Sequence, residues 1–297
     1  MSDVSPDLGA TRIGPSTFRW GERTYVMGIL NVTPDSFSGD GLLAGPDAND
    51  PVEAAVAQAR RMVSQGADIL DVGGESTRPG HIPVGVDEER ARVVPVIAAV
   101  RAALPDTPLS VDTTKAVVAE AALAAGADLV NDVWAVGDDE AIARLAADHG
   151  VPLIVMHNRA EAIYRTFMPE LIADLQRALD RAARLGVAWQ DLIIDPGFGF
   201  GKTPDQNLEL LRELDALRML GRPILLGTSR KSTLGRVLDL PAQDRLEATL
   251  ATTALGIAAG ADVVRVHDVE ANVRAARMTD AVVRTPRRAA AAEGGPA

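Results

Sequence analysis

Three polar side chains stand where apolar runs stop. Asp112 ends Pro108-Leu109-Ser110-Val111, Asn131 follows Ala127-Asp128-Leu129-Val130, and Asp195 closes Leu192-Ile193-Ile194. A carboxylate at the end of a buried run needs partners, and a ligand with paired N–H donors would supply them. Taken singly, Asp195 divides evenly between a ligand-binding role and a helix-cap or loop-stabilising one, and Asp112 and Asn131 are more often structural loop residues. Taken together they make a set of acceptors with one amide that can also donate. That set suits a flat heterocycle rich in ring nitrogens, such as a pterin or a purine. Met156, ending Pro152-Leu153-Ile154-Val155, would give such a ring an adaptable apolar wall.

The cations form a second group. Lys231 lies in Thr228-Ser229-Arg230-Lys231-Ser232, and Arg265 and His267 flank Val266, so extended geometry turns both to one side. A buried guanidinium requires an anionic partner. That partner is either a bound anion or a salt bridge to Glu75 or Asp71. Gly197-Phe198-Gly199-Phe200-Gly201-Lys202-Thr203 fails the Walker pattern, because Pro196 occupies the first glycine position, and it fails GxGxxG on spacing. It reads as a glycine-rich turn. Of the four histidines, His81, His149 and His157 look unremarkable, and none stands at HxxH or HExxH spacing, so no zinc site is expected. No Ser-His-Asp ordering suggests itself.

These residues need elements that bring them together. Eight apolar runs, from Tyr25 onward, each end in polar residues: Asn31, Glu75 to Arg78, Asp112, Asn131-Asp132, His157-Asn158, Asp195, Thr228 to Lys231, and His267. Strand-then-helix repeats with functional groups at the strand ends predict a (β/α)₈ barrel with its site on the C-terminal face, where a phosphate site after the last strands is frequent. Asp50-Pro51 caps a helix, and Asp244-Arg245-Leu246-Glu247 has the form of a capping box. Gly66-Ala67-Asp68, Gly126-Ala127-Asp128 and Gly260-Ala261-Asp262 recur at helix-to-strand joins, where glycine ends the helix. Residues 1–16 are expected to be a flexible N-terminus, 17–284 a single barrel domain, and 285–297 a disordered low-complexity tail. Thr17 to Met27, around Trp20-Gly21-Glu22-Arg23, predicts a short hairpin before the first barrel strand. The long Gly/Pro-rich stretches Thr33 to Asn49 and Gly73 to Val86 are expected to be lids or binding loops.

Composition narrows the function. The 297 residues suit one barrel, and 47% apolar content suits a soluble protein. A net charge of −11 argues against nucleic acid or an anionic membrane as partner. The absence of cysteine excludes disulfides and thiolate chemistry. With no apolar run of about 18 residues and a polar, acidic N-terminus, the expectation is a cytoplasmic protein.

With these motifs placed, the chain resembles the dihydropteroate synthase family of folate biosynthesis. The resemblance rests on Asn31-Val32-Thr33-Pro34-Asp35-Ser36-Phe37-Ser38, Asp71-Val72-Gly73-Gly74-Glu75-Ser76-Thr77-Arg78-Pro79-Gly80, Ser110-Val111-Asp112-Thr113, Asn131-Asp132, Met156-His157-Asn158, the run from Asp195 to Thr203, Gly227-Thr228-Ser229-Arg230-Lys231-Ser232 and Arg265-Val266-His267-Asp268, all in family order. It implies that Asp112, Asn131, Asp195 and Lys231 hold a pterin ring, with Met156 and Phe200 packed near it and Gly227 beside it. It implies that Asn31, Arg265 and His267 take a diphosphate and its Mg²⁺, apart from the ring site. Asp35 on the first loop and Thr77 and Arg78 on the second would close over the substrates, and Ser232 with Lys231 would meet the carboxylate of p-aminobenzoate. The catalytic residues implied are Lys231, Arg265, His267 and Asp35.

The reaction implied is condensation of 6-hydroxymethyl-7,8-dihydropterin diphosphate with p-aminobenzoate, by Mg²⁺-assisted, SN1-like departure of diphosphate, in a homodimer that sulfonamides target. Trp134-Ala135 replaces the Ser-Gly that many members carry after Asn-Asp-Val, which bears on the loop beside the ring. A methyltetrahydrofolate-type methyltransferase and a non-catalytic pterin-binding paralogue stand as alternatives.

Overall fold

The computed structural model describes residues 8–33, 50–75, 84–135 and 139–284. Strands β1 (Ala10–Ile13) and β2 (Ser16–Arg19) form an antiparallel pair. The barrel strands are β3 (Tyr25–Asn31), β4 (Ile69–Gly73), β5 (Leu109–Asp112), β6 (Leu129–Asp132), β7 (Leu153–Met156), β8 (Leu192–Asp195), β9 (Leu225–Leu226) and β10 (Val263–Val266). All pair in parallel, in the order β8-β7-β6-β5-β4-β3-β10-β9. A bridge between Ile194 and Ile224 closes the ring. The helices outside it are α1 (Pro51–Ser64), α2 (Val86–Ala103), α3 (Ala116–Ala124), α4 (Ala141–His149), α5 (Phe167–Arg184), α6 (Pro204–Arg212), α7 (Ser232–Leu238), α8 (Leu246–Ala258) and α9 (Val269–Val283). Among the described residues no helix is long and apolar enough to cross a membrane.

The two-residue period of the strands sorts the side chains into two cores. Val26, Leu30, Leu70, Val72, Val111, Val130, Val155, Ile194, Leu226 and Val264 pack outward against the helices. Met27, Ile69, Leu129, Ile154, Ile193, Leu225 and Val263 pack inside the barrel with Ile13, Phe18, Trp20 and Tyr25. Two residues further along each of these strands, the same inward direction is occupied by Ile29, Asp71, Asn131, Met156, Asp195, Gly227 and Arg265. The barrel interior is therefore apolar at one end and charged at the other.

The apolar end is stoppered by the β1–β2 hairpin. Gly14, at φ +54°, makes its turn, and Phe18, Trp20 and Tyr25 meet ring to ring with centroids 4.6–5.8 Å apart. The Trp20 indole donates to Thr11 Oγ1 at 2.9 Å. This corrects two expectations. The hairpin spans 10–19 and turns at Gly14, and the stretch 1–16 includes an ordered strand. Trp20 to Arg23 links the hairpin to β3, because Trp20 and Tyr25 are both needed to plug the barrel. The expected tail 285–297 lies outside the described residues.

Asp50 caps α1 as expected, its carboxylate accepting from Val52 N at 2.8 Å. The capping box expected at Asp244 does not form. Asp244 ends a 3₁₀ turn, and Arg245 precedes α8 with no side-chain cap. Arg245 instead donates to the Leu240 and Arg230 carbonyls, both at 2.9 Å. The three Gly-Ala-Asp joins do more than turn the chain. Their glycines sit at φ +101°, +113° and +105°. Each aspartate then accepts the backbone N–H of an adjacent strand segment: Asp68 from Val26, Asp128 from Leu109 and Asp262 from Ile224. Arg23, Arg101 and Arg284 pair with them in turn.

Candidate active site

The charged end of the barrel centres on Arg265. Its Nε donates to Asp71 Oδ2 and its Nη2 to Asp112 Oδ2, each at 2.6 Å. Asn131 Nδ2 donates to the same Asp71 oxygen at 3.1 Å. Asp71 is fully enclosed. Burial opposes the guanidinium charge, but Asp71 and Asp112 outweigh it and hold Arg265 above its ordinary value. Of the two salt bridges weighed for Arg265, the one to Asp71 is present, and Asp112 joins it. Arg265, expected at the anion site, and Asp112 and Asn131, expected at the ring, therefore share one network.

Four atoms of this network have unfilled capacity. Asp71 Oδ1, Ser110 Oγ, Asp112 Oδ1 and Asn131 Oδ1 are buried without a hydrogen-bond partner. Burial pushes Asp112 up to about 7, against the lowering effect of Arg265. Three of the four accept only or are oriented to accept, so they call for a donor-rich ligand edge.

Asp195 faces them across the barrel. Its Oδ1 accepts from Gly197 N at 2.7 Å, and burial raises its pKa against the pull of Lys231. Lys231 donates from Nζ to the Phe198 carbonyl at 2.6 Å and lies 3.9 Å from the centre of the Phe200 ring. Burial lowers it to about 7. It is presented by Arg230, which adopts φ +57° and is held in that unfavourable conformation by a bidentate pair with Asp268. Met156 is buried at the end of β7. Gly227 ends the run of β9 beside Arg265, whose Cβ a Gly227 side chain would touch at 3.8 Å. Ser232 begins α7 and is exposed.

His267 Nδ1 lies 3.0 Å from Ser229 Oγ, a hydroxyl that also accepts the His267 backbone N–H at 3.2 Å. Asn31 ends β3, and its Oδ1 and Asp112 Oδ2 both lie 3.8 Å from where a Cβ on Gly73 would stand. Among the described residues no group of three His, Asp or Glu side chains could hold a metal ion. A single amide oxygen fits Mg²⁺ that keeps most of its coordination to water and phosphate. Trp134 is exposed, and its N–H is capped by Asp132 at 2.9 Å. Asp35, Thr77 and Arg78 lie outside the described residues.

Three further residues, not singled out by the sequence as site residues, belong to these networks or border them. Asp71 was considered only as a salt-bridge partner, although its place between Ile69 and Gly73 on the inward side of β4 could have marked it. Ser110 shares the inward side with Asp112. His157 is fully buried, with Nε2 3.1 Å from Asp174 Oδ2 and Nδ1 3.0 Å from Lys202 Nζ.

Residues 27–267 match the family described as pterin binding enzyme. The dihydropteroate synthase of Clostridium beijerinckii is 50% identical over 274 residues, 92% of this chain and 99% of that protein. That of Bacillus subtilis is 47% identical over 269 residues, covering 91% and 92%. Among solved structures, Clostridium difficile dihydropteroate synthase in the presence of pteroic acid superposes with a TM-score of 0.85 at 49% identity, over 90% of this chain and 100% of that one. The Xanthomonas albilineans enzyme in complex with 7,8-dihydropteroate gives 0.80 at 41% identity, over 90% and 96%. Matches of this depth across the barrel and its charged mouth place the chain in the pterin-binding enzyme family, among the dihydropteroate synthases.

Proposed function

We propose that this chain joins 6-hydroxymethyl-7,8-dihydropterin diphosphate to p-aminobenzoate, giving 7,8-dihydropteroate and diphosphate. The observation that carries the reading is the cluster of partnerless buried acceptors, Asp71 Oδ1, Asp112 Oδ1 and Asn131 Oδ1, facing Asp195 in one enclosed mouth. A pterin presents ring and exocyclic N–H groups in the plane such acceptors would occupy, and Met156 and Phe200 supply apolar faces.

Catalysis must make the diphosphate leave, because p-aminobenzoate is a weak neutral nucleophile. The C–O bond breaks with its electron pair going to the diphosphate. The amine lone pair forms the C–N bond, and the amine proton passes to the departing diphosphate or to water. Arg265 and His267 supply positive charge or N–H donors to the leaving oxygens, a preorganised stabilisation that needs no strong general base. Asp112 and Asp195, beside the ring, favour the positive charge that the pterin gains as the bond stretches. Lys231 and Ser232 sit at the edge of the mouth to meet the carboxylate of the amine. Asn31 would hold Mg²⁺, which when bound neutralises charge on the diphosphate. We further propose a cytoplasmic homodimer in which sulfonamides compete with p-aminobenzoate.

The test is an assay of the purified chain with both substrates and Mg²⁺. Diphosphate and dihydropteroate should appear in equal amounts, and chelation should suppress both. Pterin binding without turnover would identify a non-catalytic paralogue, and activity only with a methyl donor and a corrinoid partner would identify a methyltransferase.

A further inference from the structure

The turn from Gly197 to Lys202 is held from two sides. Gly197, Gly199 and Gly201 take φ of +68°, +84° and +53°. A Cβ on Gly197 would lie 1.9 Å from the His157 carbonyl, and one on Gly201 2.4 Å from that of Arg159. The turn is thus pressed against the chain leaving β7. From the mouth, Lys231 binds the Phe198 carbonyl. From behind, Lys202 Nζ lies 2.9 Å from the Gly197 carbonyl, 2.9 Å from that of Phe200, 3.0 Å from His157 Nδ1 and 3.4 Å from the His157 carbonyl. Burial lowers Lys202 to about 7; as the ammonium it has three donors, and three short acceptors stand ready to take them.

The imidazole behind it is arranged to accept. Burial, with Lys202 alongside, lowers His157 to about 3, so the ring is neutral. Asp174 takes its Nε2–H and is itself bound by Arg159 and Arg177. Nδ1 is left as the acceptor for Lys202. This buried chain of groups ends on the two carbonyls of a turn that carries the Phe200 ring and the N–H bound by Asp195. No phosphate role is open to this lysine, since its donors are spent on the protein.

We propose that Lys202 is a positioning residue for the pterin half of the site: it fixes the glycine turn so that Phe200 and Asp195 are set for the ring before substrate arrives. The inference rests on the activity proposed above. It predicts a selective effect. A fixed supporting group typically contributes on the order of tenfold to binding or activity. Lys202→Met, which keeps the chain length and removes the donors, should raise the KM for the pterin diphosphate by roughly tenfold or more. It should weaken a free dihydropterin similarly in calorimetry, and raise the KM for p-aminobenzoate by a smaller factor, because that substrate meets the turn only through Lys231.

A role in folding alone would reduce the fraction of active protein, lowering apparent kcat and the calorimetric stoichiometry with both KM values unchanged. That pattern overturns the proposal. Lys202→Gln, which keeps an amide donor without charge, carries the same expectation if the methionine variant does not fold; failure of both to fold also overturns it. Free-pterin calorimetry on the parent separates this idea from the reaction. A parent that binds pterin but does not turn over defeats the proposed activity and leaves the Lys202 comparison intact.

Discussion

At the scale of single residues, Arg265 decides how the site should be dissected. The family resemblance suggested an anion site apart from the ring site, but Arg265 is bonded to Asp112 as well as Asp71. Arg265→Ala would leave two buried carboxylates without their cation, a change that typically costs about 3–5 kcal/mol. We expect a lowered denaturation midpoint together with weaker binding of both diphosphate and free pterin; unchanged pterin affinity in calorimetry would refute the shared network. Asp112 gives the pH signature. Its carboxyl rises from 3.8 to about 7 on folding because it is buried. Its protonation therefore stabilises the ligand-free fold at low pH, a contribution complete below about 3.8 and lost as pH rises through about 7. A ligand offering N–H donors needs the ionised form, so pterin affinity should rise between about pH 6 and pH 8. A flat profile over that range would show that Asp112 does not meet the ring. Most of this residue set was legible as polar ends of apolar runs. Asp71 was harder to see, because a charge inside the run Ile69 to Gly73 gains its meaning only from strands far away in sequence.

At the scale of elements, the glycine-rich stretch after β8 is a turn as expected, and Lys231 and Lys202 both bind its carbonyls. Its Thr203 forms a capping box with Gln206 at the start of α6. Its middle glycine is a contact point. A Cβ on Gly199 would stand 2.8 Å from Lys231 Cδ, on a backbone at φ +84°. Gly199→Ala should cost about 1 kcal/mol or more in stability from the left-handed backbone. It should also displace Lys231, weakening pterin and p-aminobenzoate together. Steady-state kinetics with each substrate varied would check this, and loss confined to one substrate would contradict it. The misread capping box before α8 has a similar cause. Local pattern favoured a cap, while Arg245 is drawn away to brace the carbonyls of Arg230 and Lys231. The Asp50 cap was readable because it needs only Val52, two residues further on.

At the scale of the whole molecule, chemistry and stability occupy opposite ends of one barrel. The strand repeat made the barrel legible, and strand period alone separates inward from outward residues. The stopper was misplaced because the alternation around Trp20 resembles a hairpin, whereas the aromatic trio serves to seal the barrel floor. Trp20→Ala should destabilise the fold by about 3–5 kcal/mol while the folded fraction keeps its kcat/KM, as measured by denaturation and by kinetics well below the midpoint. A matching loss of kcat/KM in fully folded protein would mean that the floor and the mouth are coupled.

The ring of strands also has a seam. β9 is two residues long, and among the described residues it is the chain just before it that meets β8, at an isolated bridge between Ile194 and Ile224. The cylinder is thinnest along that line, so breathing motions should begin there, and its amides should exchange with deuterium sooner than those of β4 and β5. Asp195 stands on one bank of the seam and Lys231 follows from the other. A bound ring that engages both would act as a clasp across the gap. Deuterium uptake at residues 192–195 and 223–228 should then fall on ligand binding by more than at β5, even though β5 carries Asp112. Equal slowing around the whole circumference would show that the ligand stiffens the barrel uniformly and that the seam has no special part in it.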